Sequence, residues 1–145
     1  MCLLVAKPAD AEISIVHLRQ GFDSNRDGCG FAYAKDGKIE LVKGMFNWQK
    51  FYDEYEKVKQ YPMLIHFRLS TAGKKNQTNC HPFSLLEGKY AMAHNGVINI
   101  ILSDKRFSDT YHFAYQVIEP MLKLNVPVDD VVFQYRVEQT IGSLN

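Results

Sequence analysis

A few short stretches of this chain carry side chains whose types and spacing could do chemistry. The first is Cys2. With Met1 removed, its thiol and its α-amine would sit on one residue. An α-amine has an ordinary pKa of about 7.7–8.0, so it is a base at neutral pH. A thiol with a built-in base is an activated nucleophile; without that context Cys2 is a small buried hydrophobe. The second stretch is His66-Phe67-Arg68. A guanidinium at the end of a strand can grip a carboxylate through two parallel hydrogen bonds, or it can join an ordinary surface ion pair. The third is His94-Asn95-Gly96. Asn-Gly between apolar runs makes a hairpin turn, yet an Asn amide beside a glycine N–H also offers two donors for an oxyanion. The fourth is Ser108-Asp109-Thr110, a helix cap whose carboxylate could also bind an ammonium group. The fifth is Cys80-His81-Pro82, where His81 either fills a core position or lines a pocket.

The elements that must position these groups can be read from periodicity and turn chemistry. Met1–Lys7 predicts a short strand stopped by Pro8. Asp10 predicts the cap of a helix over Ala11–Gln20, ended by Gly21. Gly30–Ala34 and Ile39–Val42 flank an Asp36-Gly37 turn, a hairpin signal. Asn47 caps a helix whose Trp48, Phe51, Tyr52, Tyr55 and Val58 share one face. Met63–Ser70 alternates, with Ile65, Phe67 and Leu69 on one side and His66, Arg68 and Ser70 on the other. Residues 73–79 read as a polar loop. Tyr90–Ile101 predicts two short strands around Asn95-Gly96. Ser108 and Asp109 open a helix with an apolar stripe of Phe113, Ala114, Val117 and Ile118, which Pro120 kinks or restarts. Asp129 is a candidate cap for a last helical stretch. Strands and helices mix without regular alternation, which favours α+β over a doubly wound sheet.

Composition limits the function classes. The chain has 145 residues, 46% hydrophobic and 23% charged, the make-up of one globular domain spanning residues 1–145. Seventeen basic and 16 acidic residues give a net charge of +1, which removes the electrostatic case for nucleic acid or an anionic membrane as partner. No apolar run is long enough for a membrane span. Three cysteines at irregular spacing make a poor disulfide framework and point to a reducing, cytoplasmic setting. Cys80-His81 cannot build a tetrahedral metal site by itself, so neither metal nor cofactor is expected.

Taken in order, these stretches carry a resemblance. Cys2, Asp27-Gly28-Cys29-Gly30-Phe31-Ala32, His66-Phe67-Arg68-Leu69-Ser70-Thr71-Ala72-Gly73, Asn79-Cys80-His81-Pro82-Phe83, His94-Asn95-Gly96-Val97 and Ser108-Asp109-Thr110 together resemble the class II, or N-terminal-nucleophile, glutamine amidotransferases. The likeness runs from residue 2 to about residue 118. It implies an αββα sandwich of the N-terminal-nucleophile hydrolase type. It also implies hydrolysis of L-glutamine to glutamate and ammonia through a Cys2 thioester, with an ammonia-accepting synthetase as partner chain. By motif, Cys2 is the nucleophile, Asn95 and Gly96 hold the oxyanion, and Arg68 binds the α-carboxylate. Asp109 binds the α-ammonium, while Thr71 and His81 line the pocket. Many family members have Trp and His where this chain has Leu69 and Ala72, which alters the shape of the pocket. Family domains generally continue with more strands beyond the Ser-Asp-Thr helix, so the resemblance allows a minimal domain, one lacking its C-terminal strands, or one whose remaining strands lie on another chain. Two other functions compete with glutamine hydrolysis: the same machinery acting on another amide, or a non-catalytic binding or regulatory protein that keeps the fold.

Overall fold

The computed structural model describes residues 2–70 and 73–142. Its main sheet starts from β1 (Leu3–Lys7), which pairs antiparallel with β4 (Met63–Phe67), Leu3 opposite Phe67 and Lys7 opposite Met63. β4 pairs on its other edge with β2 (Cys29–Lys35), and β2 with β3 (Lys38–Met45), so the order is β1-β4-β2-β3 and every pairing is antiparallel. The β2–β3 hairpin turns as predicted. Asp36 and Gly37 hold φ of 50° and 74°, the two left-handed positions that match the twist of the flanking strands.

Two helices cover one face of this sheet. The second, α2 (Trp48–Val58), begins where the aromatic periodicity puts it, with the Asn47 side chain accepting the Lys50 N–H at 3.2 Å. The first, α1, is displaced from expectation: it runs Ile15–Ser24 because Ser14, not Asp10, supplies the cap, accepting the Val16 N–H. Gly21 therefore lies inside the helix and does not end it. A Cβ there would come within 2.8 Å of Leu3 Cδ2 and 3.1 Å of the Phe67 ring, so the residue lets α1 press onto the sheet. Between helices and sheet lie Leu18, Phe22, Phe31, Phe51, Ile65 and Phe67. The Phe51 and Phe67 rings meet edge to face at 5.0 Å. The alternation predicted for β4 holds for Ile65 and Phe67, but the regular strand stops at Phe67 and Leu69 is exposed.

The other face of the sheet receives the chain at His81. A Cβ at Gly30 would lie 2.5 Å from the His81 carbonyl oxygen, so only glycine in β2 admits that backbone. From there β5 (Phe83–Leu85) and β6 (Tyr90–Met92) form a two-stranded antiparallel ribbon. Behind it run α3 (Asp109–Phe113), a wider π turn (Ala114–Ile118), α4 (Glu119–Lys123) and α5 (Val131–Ile141). The π turn sits just before Pro120, which has no N–H to continue the regular ladder. Phe83, Leu85, Ile98, Phe113, Ile118 and Phe133 form this half's core. Asp130 caps α5 in place of Asp129, accepting the Val132 N–H at 2.7 Å. The hairpin expected around Asn95-Gly96 is absent: residues 93–102 form no strand. Ile98 gives its N–H to the Asp109 side chain at 2.6 Å, away from any strand partner. Among the described residues, no helix is long and apolar enough to cross a membrane, and no group of three or more His, Cys, Asp or Glu could hold a metal ion.

Candidate active site

Cys2 immediately precedes β1 and is half-buried. Register brings it beside the residues that follow β4. Its Sγ accepts the Leu69 N–H at 3.2 Å and lies 3.3 Å from the Leu69 carbonyl oxygen, to which the thiol can donate. Arg68, one residue earlier, extends the ladder by one step: its N–H donates to the Gly28 carbonyl, and its own carbonyl accepts the Asp27 N–H, both at 2.9 Å. Its side chain is only 3% exposed, and Nη1 donates to the Lys74 carbonyl at 3.1 Å. Asp27 braces the same loop, accepting the Ser70 N–H at 2.8 Å and pairing with Lys75 at 2.6 Å. Burial acts to raise the Asp27 pKa, but Lys75 and the Ser70 N–H outweigh it and hold the carboxyl below its usual range. Thr71 lies outside the described residues.

Asp109 opens α3 behind the Ser108 cap, which accepts the Tyr111 N–H at 3.1 Å. It is 7% exposed, and each carboxylate oxygen takes a backbone donor: Oδ2 the Ile98 N–H at 2.6 Å, Oδ1 the Thr110 N–H at 2.8 Å. Charged groups are seldom this buried unless they have partners. A carboxylate has about four lone-pair sites, so backbone donors leave capacity for a ligand.

Between Arg68 and Asp109 lie three histidines. The His66 and His81 rings meet at 4.1 Å between centroids, and the His94 N–H faces His81 Nδ1 at 3.5 Å, a long contact. His66 is fully buried, and neither ring nitrogen has a hydrogen-bond partner among the described residues. Burial and then the Arg68 charge push its pKa to about 4. Burial and then the His66 charge push His81 lower too. Burial also lowers His94, against an opposing pull from Asp109. All three are neutral at pH 7, which leaves Arg68 and, beside His81, Lys43 as the positive groups near them. Asn95 and Gly96 are exposed, and neither the Asn95 amide nor the Gly96 N–H meets an acceptor among the described residues. Gly96 has φ of 144°, a region L side chains rarely adopt.

The structure therefore brings Cys2 against Leu69, next to Arg68 in the chain, and His81 against both His66 and the backbone leading to Asn95. It ties Asp109 to the far end of the Asn95-Gly96 segment. No hydrogen bond among the described residues joins Asn95 to Cys2. Asn79, to which the sequence assigns no role, is completely buried and holds the Ser108 N–H on its Oδ1 at 2.8 Å. The only signal in the sequence was its place in the Asn79-Cys80-His81-Pro82-Phe83 run. A cleft of about 530 Å³ lies elsewhere, between the 9–15 loop and α2, lined by Tyr52, Tyr55, Glu56 and Lys59, and touches none of these residues.

The chain belongs to the class II glutamine amidotransferases, whose family model matches residues 1–113. Among its relatives, an uncharacterised protein of Methanocaldococcus jannaschii is 26% identical over 68% of this chain and 30% of its own length. A glutamine–fructose-6-phosphate aminotransferase (isomerizing) of Aquifex aeolicus is 34% identical over 54% of this chain and 14% of its own. A probable glutamine amidotransferase of Saccharomyces cerevisiae is 31% identical over 71% and 32%. The chain thus spans less than a third of each of these relatives.

Proposed function

We propose that residues 1–145 form one glutaminase unit, an αββα sandwich whose second sheet is the β5–β6 ribbon, acting in the cytoplasm, where free thiols persist. Cys2, freed of Met1, attacks the side-chain amide carbon of L-glutamine. Its α-amine takes the thiol proton and returns it to the departing nitrogen, so ammonia leaves and a thioester forms. Water, activated by the same amine, then releases glutamate and restores the thiol. Arg68 takes the substrate's α-carboxylate and Asp109 its α-ammonium, while Thr71 and His81 line the pocket. Asn95 Nδ2 and the Gly96 N–H hold the oxyanion; both are free of protein acceptors among the described residues, as such donors must be. The ammonia goes to an acceptor bound outside these residues, on a synthetase partner or a further domain.

One observation carries this reading: a buried cation and a buried anion, Arg68 and Asp109, occupy one polar region with the Cys2 thiol bonded to the residue beside Arg68. Glutamine is zwitterionic at its α-carbon and needs one partner for each charge. The competing reading, a non-catalytic protein that retains the fold, draws on the absence of a hydrogen bond between Asn95 and Cys2 among the described residues. Intact mass and glutamine turnover on the same sample separate them. We expect the protein lacking Met1 to release ammonia and the Met1-retaining form to be inactive, because an amide nitrogen accepts no proton at neutral pH. Equal turnover by both forms would rule out the N-terminal-nucleophile mechanism.

A further inference from the structure

Arg68 and Asp109 sit on separate elements, yet one side chain lies between them. Asn79 is 0% exposed and uses every polar atom of its amide. Nδ2 donates to the Lys74 carbonyl at 3.0 Å and to the Arg106 carbonyl at 2.8 Å, and Oδ1 accepts the Ser108 N–H at 2.8 Å. The Lys74 carbonyl is the same oxygen that accepts Arg68 Nη1 at 3.1 Å. Ser108 is the residue that caps α3 and immediately precedes Asp109. A continuous path of hydrogen bonds thus runs from the Arg68 guanidinium through Lys74, Asn79 and Ser108 to the backbone that carries Asp109. Backbone contact reinforces it, since the Lys74 N–H donates to the Arg106 carbonyl at 3.2 Å. Gly73, at φ of +72°, makes the approach possible: a Cβ there would lie 2.8 Å from the Ser108 nitrogen and 3.0 Å from Asn79 Nδ2.

We infer that Asn79 is a positioning residue that fixes the spacing between the carboxylate and ammonium subsites, so that the enzyme selects a free α-amino acid. The inference rests on the glutamine reading above and goes beyond it, because it assigns the selection of both charges to a residue that touches neither the substrate nor Cys2. A buried amide suits this task. Its two donors and one acceptor are fixed in one plane, and each is matched here, so the two segments cannot slide without losing a buried hydrogen bond. Aspartate in its place keeps the shape and the acceptor but turns carboxylate lone pairs toward the Lys74 and Arg106 carbonyls.

The test compares glutamine with glutaramate, which has the same amide and carboxylate but no α-amino group. In the wild type, kcat/KM for glutamine should exceed that for glutaramate by 100-fold or more. Asn79→Asp should raise the KM for glutamine at least 10-fold, with a smaller change in kcat, and shrink the preference over glutaramate to below 10-fold. Gly73→Ala, which opens the same junction from the other side, should shift the preference in the same direction; it serves if Asn79→Asp does not fold, as judged by its melting temperature. A general loss of structure would lower both substrates together and leave their ratio unchanged. An unchanged ratio in whichever variant folds overturns the inference while leaving the glutamine reading intact. A wild-type protein that turns over neither compound overturns both.

Discussion

The two halves of this molecule each have an apolar core but differ in how many polar groups they bury beside it. Residues 3–67 form a sheet and two helices around a dry aromatic core. Phe31, Phe51, Ile65 and Phe67 are all 0% exposed, and ring packs against ring. Residues 68–113 contain fewer regular elements and, beside the apolar core built on Phe83, Leu85, Ile98 and Phe113, bury many polar groups as well: Arg68, Asn79, His81, Ser108, Asp109 and His112 are all nearly inaccessible. Apolar burial is non-directional and favours folding at roughly 25 cal/mol per Å². Buried hydrogen bonds add little net stability, yet they fix geometry to a few tenths of an ångström and are costly to leave half-made. The first half therefore contributes chiefly stability, and the second adds position to the stability of its own smaller core. The glutamine site proposed above, with a cation, an anion and a thiol in fixed positions, would draw on both.

The largest expected effect tests the first half. Phe51→Ala should cost about 3–5 kcal/mol of unfolding free energy in denaturant titration. Turnover per folded molecule should be nearly unchanged, because the ring partners of Phe51, namely Phe31, Trp48, Tyr55 and Phe67, all belong to the aromatic core. A cost below about 1 kcal/mol would show that the aromatic core is not what holds the sheet.

Next come the charges of the second half. Arg68→Ala and Asp109→Asn should each lower kcat/KM for glutamine by about 2–5 kcal/mol, the usual cost of breaking one partner of a desolvated charge pair. Arg68→Met should show the contrast most directly, with unfolding free energy held or raised while glutamine use collapses. If Arg68→Met loses stability and activity in parallel, the division of labour between the halves is wrong. Asn95→Ala should cut turnover on the order of 10²–10³-fold with little change in the melting temperature.

The histidines set a smaller, pH-dependent effect. Burial and the nearby Arg68 lower His66 from an ordinary 6.5 to about 4, so the unfolded chain takes up the proton first. Its contribution to stability is whole above pH 6.5 and is lost as the pH falls toward 4, on the order of 3 kcal/mol in total. Melting temperatures measured across that window should fall less in His66→Phe than in the wild type; parallel curves would remove His66 as the cause. The smallest effect belongs to the exposed Arg19–Asp23 pair on α1, 2.7 Å apart. Arg19→Ala should change stability by less than about 1 kcal/mol and leave turnover unaffected.

The sequence by itself determined those parts whose causes are local. The Asp36-Gly37 hairpin, the Asn47-capped aromatic helix, the alternation of His66 and Arg68 against Ile65 and Phe67, and the Ser108 cap are decided by neighbours a few residues apart. The ordered motifs likewise identified the family, because residue type and order survive without coordinates. Where a long-range contact outweighs a local preference, the sequence misled. Gly21 resembles a helix terminator but is a packing contact with Leu3 and Phe67, and Asn95-Gly96 resembles a hairpin turn, but Asp109 has drawn the Ile98 N–H away from any strand. Only the tertiary structure could show that Asn79 lies between Arg68 and Asp109. Its three side-chain partners are backbone groups, which every sequence contains at every position, and only the fold decides which of them come within 3 Å of one amide.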